Sequence, residues 1–175
     1  MTLSTYEEAI NFLEQNDIQY NEVKYDAVWT MAEASQLQLP NDTVIKNLFL
    51  KKRKTAEYFL CVVVGHKKID FKTLAPQLQL SRNKLGFANE KDLADVLGLK
   101  PGFVTPLGLP HDKKRQVTVL LDKELQNVDA IGIHPNTNTA TVFVKYDDLL
   151  KIITCSRHEM FIVDPDYSSR QTKNR

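Results

Sequence analysis

Two cysteines, one tryptophan and six glycines in 175 residues exclude several common architectures. Cys61 and Cys155 cannot form a disulfide scaffold and neither sits in a CxxC pair, which fits a reducing, cytoplasmic setting. GxxxxGK[ST], GxGxxG and GxSxG are all missing, so neither a phosphate-binding loop, nor a dinucleotide fold, nor a serine-hydrolase elbow is expected. His66, His111, His134 and His158 lie far apart without HxxxH companions, so no metal site and no cofactor are expected. The longest purely apolar run, Phe59 to Val64, is far too short to span a bilayer, and no membrane association is expected. Glu7 and Glu8 with no early Lys or Arg argue against a secretory signal.

What is present is ordinary globular composition, 42% hydrophobic and 26% charged, in a chain long enough for a self-sufficient core. The net charge is only +1, but its distribution is uneven. Residues 1–30 hold Glu7, Glu8, Glu14, Asp17, Glu22 and Asp26 against Lys24, whereas residues 46–84 hold ten bases against Glu57 and Asp70. Lys113-Lys114-Arg115 follows. Such segregation can build a phosphate-attracting face on a neutral protein, or simply a solvated surface.

Ser4-Thr5-Tyr6-Glu7 reads as a capping box, with Tyr6, Ala9, Ile10 and Leu13 on one helical stripe. A strand near Ile18–Tyr25 and a short helix from Thr30 to about Leu37 should follow. Val44 to Lys51 alternates as a strand, with Val44, Lys46, Leu48 and Leu50 on one face and Ile45, Asn47 and Phe49 on the other. Apolar residues on both sides predict a strand covered twice. Tyr58–Val64 is a second strand. Asp70 caps a helix that Pro76 limits, and Asn89 caps one that Gly98 stops. Val117–Leu121, Ala130–His134 and Ala140–Val144 read as strands, and Asp147–Ile153 as a closing helix. The expected fold is a single mixed α/β domain over residues 1–163, with a curved, barrel-like central sheet flanked by helices. Residues 164–175 read as a flexible tail.

Three places could carry chemistry. Lys46-Asn47 sits in an otherwise apolar strand, so the lysine must snorkel, pair with an acid or point into a cleft. Lys100-Pro101-Gly102-Phe103-Val104-Thr105-Pro106 is a loop stiffened by proline, in which glycine permits close backbone approach and N–H groups could face an oxyanion; a plain rigid turn reads as well. His134-Pro135-Asn136-Thr137-Asn138-Thr139 puts an imidazole at a strand end, able to bind substrate or to hold the turn.

In their order and spacing, Lys-Asn-Leu-Phe-Leu at 46–50, Gly-Phe-Val-Thr-Pro at 102–106 and His-Pro-Asn-Thr-Asn-Thr at 134–139 together resemble the YbaK-type aminoacyl-tRNA editing domains. These are also found inserted in bacterial prolyl-tRNA synthetases. The chain looks most like the freestanding deacylases that clear alanine from proline tRNA. The resemblance implies a metal-free mixed α/β fold that hydrolyses a mischarged aminoacyl ester at the acceptor end of tRNA(Pro), with prolyl-tRNA synthetase or an elongation factor as transient companions. Lys46 would then hold the phosphate of the terminal adenosine and Asn47 would orient that end. Gly102 would offer backbone contacts to the aminoacyl group, with Thr105 and Pro106 also binding substrate, and His134 would touch the substrate or fix the loop that does. Val28, Trp29, Met31 and Ile45 would wall the pocket, and Lys51, Lys52 and Lys113 would meet tRNA phosphates. Two alternatives share these residues: a Cys-tRNA(Pro) deacylase, and a non-catalytic module that binds tRNA or a synthetase.

Overall fold

The computed structural model describes residues 2–26 and 45–165. Its helices are α1 (Tyr6–Gln15), α2 (Phe71–Gln77), α3 (Glu90–Leu97) and α4 (Tyr146–Cys155). Its strands are β1 (Asn21–Lys24), β2 (Ile45–Lys52), β3 (Tyr58–Val64), β4 (Leu85–Phe87), β5 (Val117–Asp122), β6 (Ile131–Ile133), β7 (Ala140–Val144) and β8 (Met160–Val163).

These strands form two sheets, one of order β4-β2-β3-β5-β8 and one of order β1-β7-β6. β2 pairs antiparallel with β3 and β4, whereas β3–β5 and β5–β8 are parallel. The smaller sheet is antiparallel throughout. The fold is therefore mixed α/β, as expected, but the described strands divide between two sheets and no closed barrel is found among them. The spacing of apolar residues fixes where a strand lies; which sheet it joins depends on long-range pairing.

The unbroken apolar run of β3 follows from burial on both faces. Tyr58, Leu60 and Val62 face the main core, shared with Phe49, Val119 and Leu121 and with Ile131, Ile133, Val142 and Val144 of the smaller sheet. Cys61 and Val63 face a second core with Leu50, Leu120 and, from α2, Leu74 and Ala75. Burial pushes the Cys61 thiol up to about 12, so it stays protonated and inert.

Local signals decide most boundaries. Asn89 accepts from the Asp92 N–H at 2.7 Å, and Gly98 ends α3 in the left-handed region at φ 64°. The α1 capping box starts one residue later than expected: Thr5, not Ser4, accepts the Glu8 N–H, while the Ser4 hydroxyl donates to the Leu97 carbonyl at 2.9 Å. The first two residues beyond 163 make hydrogen bonds to α2 and its cap. The Asp164 N–H and carbonyl bond the Gln77 side chain at 2.9 and 2.8 Å, and the Pro165 carbonyl accepts the Asp70 N–H. No helix among the described residues is long and apolar enough to cross a membrane.

Candidate functional site

The loop after α3 is built by its own sequence. Pro101 and Gly102 occupy the middle of a turn closed by the Phe103 N–H donating to the Lys100 carbonyl at 3.0 Å. Gly102 has φ +84°, the signature of a type II turn with proline second and glycine third. A Cβ on Gly102 would meet nothing within 4 Å, so the glycine is there for its backbone angle, not for space. The turn tip is exposed, and the chain then dives inward. Thr105 is fully buried and caps the short 3-10 helix Pro106–His111, with the Leu107 N–H donating to its hydroxyl at 3.3 Å.

That same hydroxyl donates to the His134 carbonyl at 2.7 Å. Two of the three sequence motifs are thus joined by one buried hydrogen bond. His134 lies one residue beyond β6, half-buried, and its Nδ1 has no partner. Burial holds the imidazole below its ordinary value of 6.5, partly opposed by a backbone hydrogen bond with Ala140. His134 is therefore neutral at neutral pH. An unfolded chain takes up this proton before the folded one does, so stability tied to His134 is full above about pH 6.5 and declines as pH falls below it. Urea midpoints at pH 7.5 and 5.5 should accordingly fall further for the wild type than for His134→Gln; equal falls would contradict a buried neutral imidazole.

The Lys46-Asn47 motif divides between the two faces of β2. Asn47 shares the face of Ile45 and Phe49, which pack into or against the main core. Its Oδ1 is buried without a partner, and it lines a cavity of about 250 Å³ with Phe49, Leu93, Pro101 and Val104. The first and second motifs therefore meet at this cavity. Lys46 shares the opposite face with Leu48 and Leu50. Its ammonium donates to the Lys67 carbonyl at 3.0 Å, in the turn that follows β3. Among the described residues this is where the amine is held, rather than against the 102–106 loop or His134. Elsewhere, β2 and β6 touch. Ile45 is half-buried against the main core, while Val28, Trp29 and Met31 lie outside the described residues.

Two lysines expected to meet phosphates are already engaged. Lys51 pairs with Asp92 at 2.9 Å, beside Tyr58, and Lys52 pairs with Glu57. The exposed bases Arg53, Lys54, Arg82 and Lys84 gather instead at the β2–β3 turn. There the Arg53 N–H donates to the Lys84 carbonyl at 2.7 Å, and the Arg53 guanidinium lies across Gly86. No group of three or more His, Cys, Asp or Glu among the described residues could hold a metal. Sequence reasoning missed the buried Lys67–Asp122 pair beneath Lys46; the only available signal was an acid closing the apolar run of β5.

Residues 26–152 match the family model of the aminoacyl-tRNA editing domain. The chain belongs to that family. It is 36% identical over 154 residues to the prolyl-tRNA editing protein ProX of Acetoanaerobium sticklandii, an alignment covering 87% of this chain and 93% of the relative. A prolyl-tRNA synthetase associated domain-containing protein of Danio rerio is 31% identical over 162 residues, covering 89% and 84%. Among solved structures, one described as a candidate trans-editing enzyme for prolyl tRNA synthetase superposes with a TM-score of 0.70 over 93% of this chain and 99% of its own, at 18% identity. That last likeness is one of fold.

Proposed function

We propose that this editing domain is a trans-acting, cytoplasmic deacylase that hydrolyses mischarged Ala-tRNA(Pro), with residues 1–163 as its catalytic unit. The observation that carries the reading is the Thr105–His134 bond, which couples the GxxxP loop to the histidine turn in a chain matching the editing family. The naming of its 36% identical relative for prolyl-tRNA editing supports the proline-tRNA assignment.

The chemistry suits these residues. An aminoacyl ester is already activated, so hydrolysis needs a positioned water and charge stabilisation more than a protein nucleophile. Water attacks the ester carbonyl, assisted by the free ribose hydroxyl of the terminal adenosine. The tetrahedral oxyanion is met by the backbone N–H of Gly102, a donor of this kind being worth roughly 2.7–4 kcal/mol. Collapse expels the ribose oxygen, which takes a proton, and releases the amino acid. Lys46 holds the terminal phosphate and Asn47 orients the nucleotide. A neutral His134 serves as a hydrogen-bonding group rather than a fixed cation. The need for such a step is itself physical: a pocket shaped for proline excludes alanine by only about 1–3 kcal/mol per missing methylene, so a second, smaller sieve is required.

Side-by-side release of labelled amino acid from alanyl- and cysteinyl-tRNA(Pro) tests the specificity. Faster alanine release is expected; faster cysteine release would assign the sister activity, and binding without release would make this a non-catalytic module.

The body of the tRNA is assigned to the basic cluster. Arg53 follows the last residue of β2, seven residues from Lys46 and about 23 Å away at strand rise, which puts the cluster within reach of an acceptor stem leaving the site. Combined Arg53→Ala, Arg82→Ala and Lys84→Ala substitution should weaken tRNA binding and reduce its log K–log salt slope by about 0.9 per lost phosphate contact. An unchanged slope would place the stem elsewhere.

A further inference from the structure

The most deeply buried charges in the described structure are used by none of the steps above. Lys67 is 2% exposed and Asp122 0%. The Lys67 ammonium donates to Asp122 Oδ1 at 2.7 Å and also lies 3.2 Å from Glu124 and 3.8 Å from Asp164. Asp122 is itself saturated: Oδ1 also accepts the Glu124 N–H at 3.0 Å, and Oδ2 accepts the Val64 N–H at 3.1 Å. Burial opposes charge on Lys67, but the hydrogen bonds and charges of Asp122 and Glu124 outweigh it and hold the ammonium above its ordinary range. A pair this dry is poor value as a stabiliser, since an apolar pair of the same volume would serve as well or better, so its retention calls for another reason.

The reason lies in its backbone. The Lys67 N–H closes a turn onto the Val64 carbonyl at 3.1 Å, and the Lys67 carbonyl accepts the Lys46 ammonium at 3.0 Å. The turn is therefore clamped at both ends by one carboxylate, Asp122 taking the Val64 N–H at its start and the Lys67 side chain at its end. Lys46 sits opposite Val63 in the β2–β3 register, so its flexible side chain spans directly to this clamped carbonyl.

We infer that Lys67 and Asp122 are positioning residues for Lys46: their buried ion pair fixes the carbonyl that orients the Lys46 ammonium, which keeps two N–H groups for a phosphate oxygen. This rests on the reading of Lys46 as the phosphate-binding group. Without the clamp, the four-carbon side chain of Lys46 samples many rotamers and loses its aim.

A kinetic double-mutant cycle on the full chain tests it, with Lys46→Ala, Lys67→Met and the double variant assayed on alanyl-tRNA(Pro) alongside thermal melts. Lys67→Met should lower kcat/KM at least about tenfold when Lys46 is present and less than about twofold when Lys46 is already alanine, because positioning acts only through Lys46. The melting temperature should fall equally in both backgrounds. Equal rate losses in both backgrounds, or none in either, would overturn the inference. An unchanged rate in Lys46→Ala alone would instead remove the phosphate-binding reading, and this inference with it. Should Lys67→Met not fold, Glu124→Gln with Asp164→Asn loosens the same ammonium from its partly exposed side and enters the same cycle with the same expectations.

Discussion

Lys46→Ala is expected to lower deacylation of alanyl-tRNA(Pro) at least about a hundredfold, the scale seen when one preorganised charge-stabilising group is removed from an active site. The fold should survive. Lys46 is half-buried, and its one described hydrogen bond is from its ammonium to a backbone carbonyl, so the loss should cost no more than about 1.5–3 kcal/mol. Lys46→Arg offers a sharper version. It keeps the charge but replaces a compact ammonium by a planar fork, which cannot both satisfy the Lys67 carbonyl and present the same donors to a phosphate. Partial activity is expected there. Wild-type turnover in Lys46→Ala, with an unchanged circular dichroism melt, would take Lys46 out of the mechanism.

Thr105→Val should produce the second large effect. Valine has almost the shape of threonine but no hydroxyl. In a position that is 0% exposed, the change leaves the His134 carbonyl and the Leu107 N–H without their partner. Burying unsatisfied polar groups costs about 1–3 kcal/mol each. At this chain length, each kcal/mol lowers the melting temperature by roughly 2–4 °C. Activity should fall further than stability alone requires, because this bond sets the GxxxP loop against the histidine turn. Thr105→Ser restores the hydroxyl and should recover most of both losses. A valine variant with wild-type melting and turnover would show that the loop and the turn are held by other contacts.

The parts of the fold legible in the sequence are those specified by neighbours in the chain. Tyr58–Val64 and Ala140–Val144 are strands at the expected boundaries because their apolar runs leave no other choice. Asn89 and Gly98 bracket α3 because a side-chain acceptor and a left-handed glycine do their work locally. The α1 cap was ambiguous by one residue, since Ser4 and Thr5 each precede a glutamate by three; the Ser4 hydroxyl is claimed by Leu97, 93 residues away. β4 and β8 had no comparable signal. Leu85-Gly86-Phe87 is three residues long, and Met160–Val163 is an edge strand with Phe161 and Ile162 exposed, so pairing rather than periodicity makes both of them strands.

The candidate site divides in the same way. The turn at Pro101-Gly102 is written in its residues, whereas the bond from Thr105 to the His134 carbonyl spans 29 residues and has no local signal. Alternation also placed Lys46 and Asn47 on opposite faces of one strand, and the cores on either side agree. Hidden from the sequence was the support beneath Lys46. Lys67 and Asp122 look like surface charges in a basic segment and at a strand end, and only their meeting across 55 residues makes them a buried pair.

The account depends most directly on the three motifs serving one ligand. The decisive measurement is an NMR titration with a non-hydrolysable analogue, 3′-amino-3′-deoxyadenosine 5′-phosphate carrying alanine in amide linkage. The account predicts that the Lys46 ammonium, the Gly102 amide and the His134 imidazole signals shift together along one binding curve. Signals that stay still, or that follow separate curves at different concentrations, would contradict it.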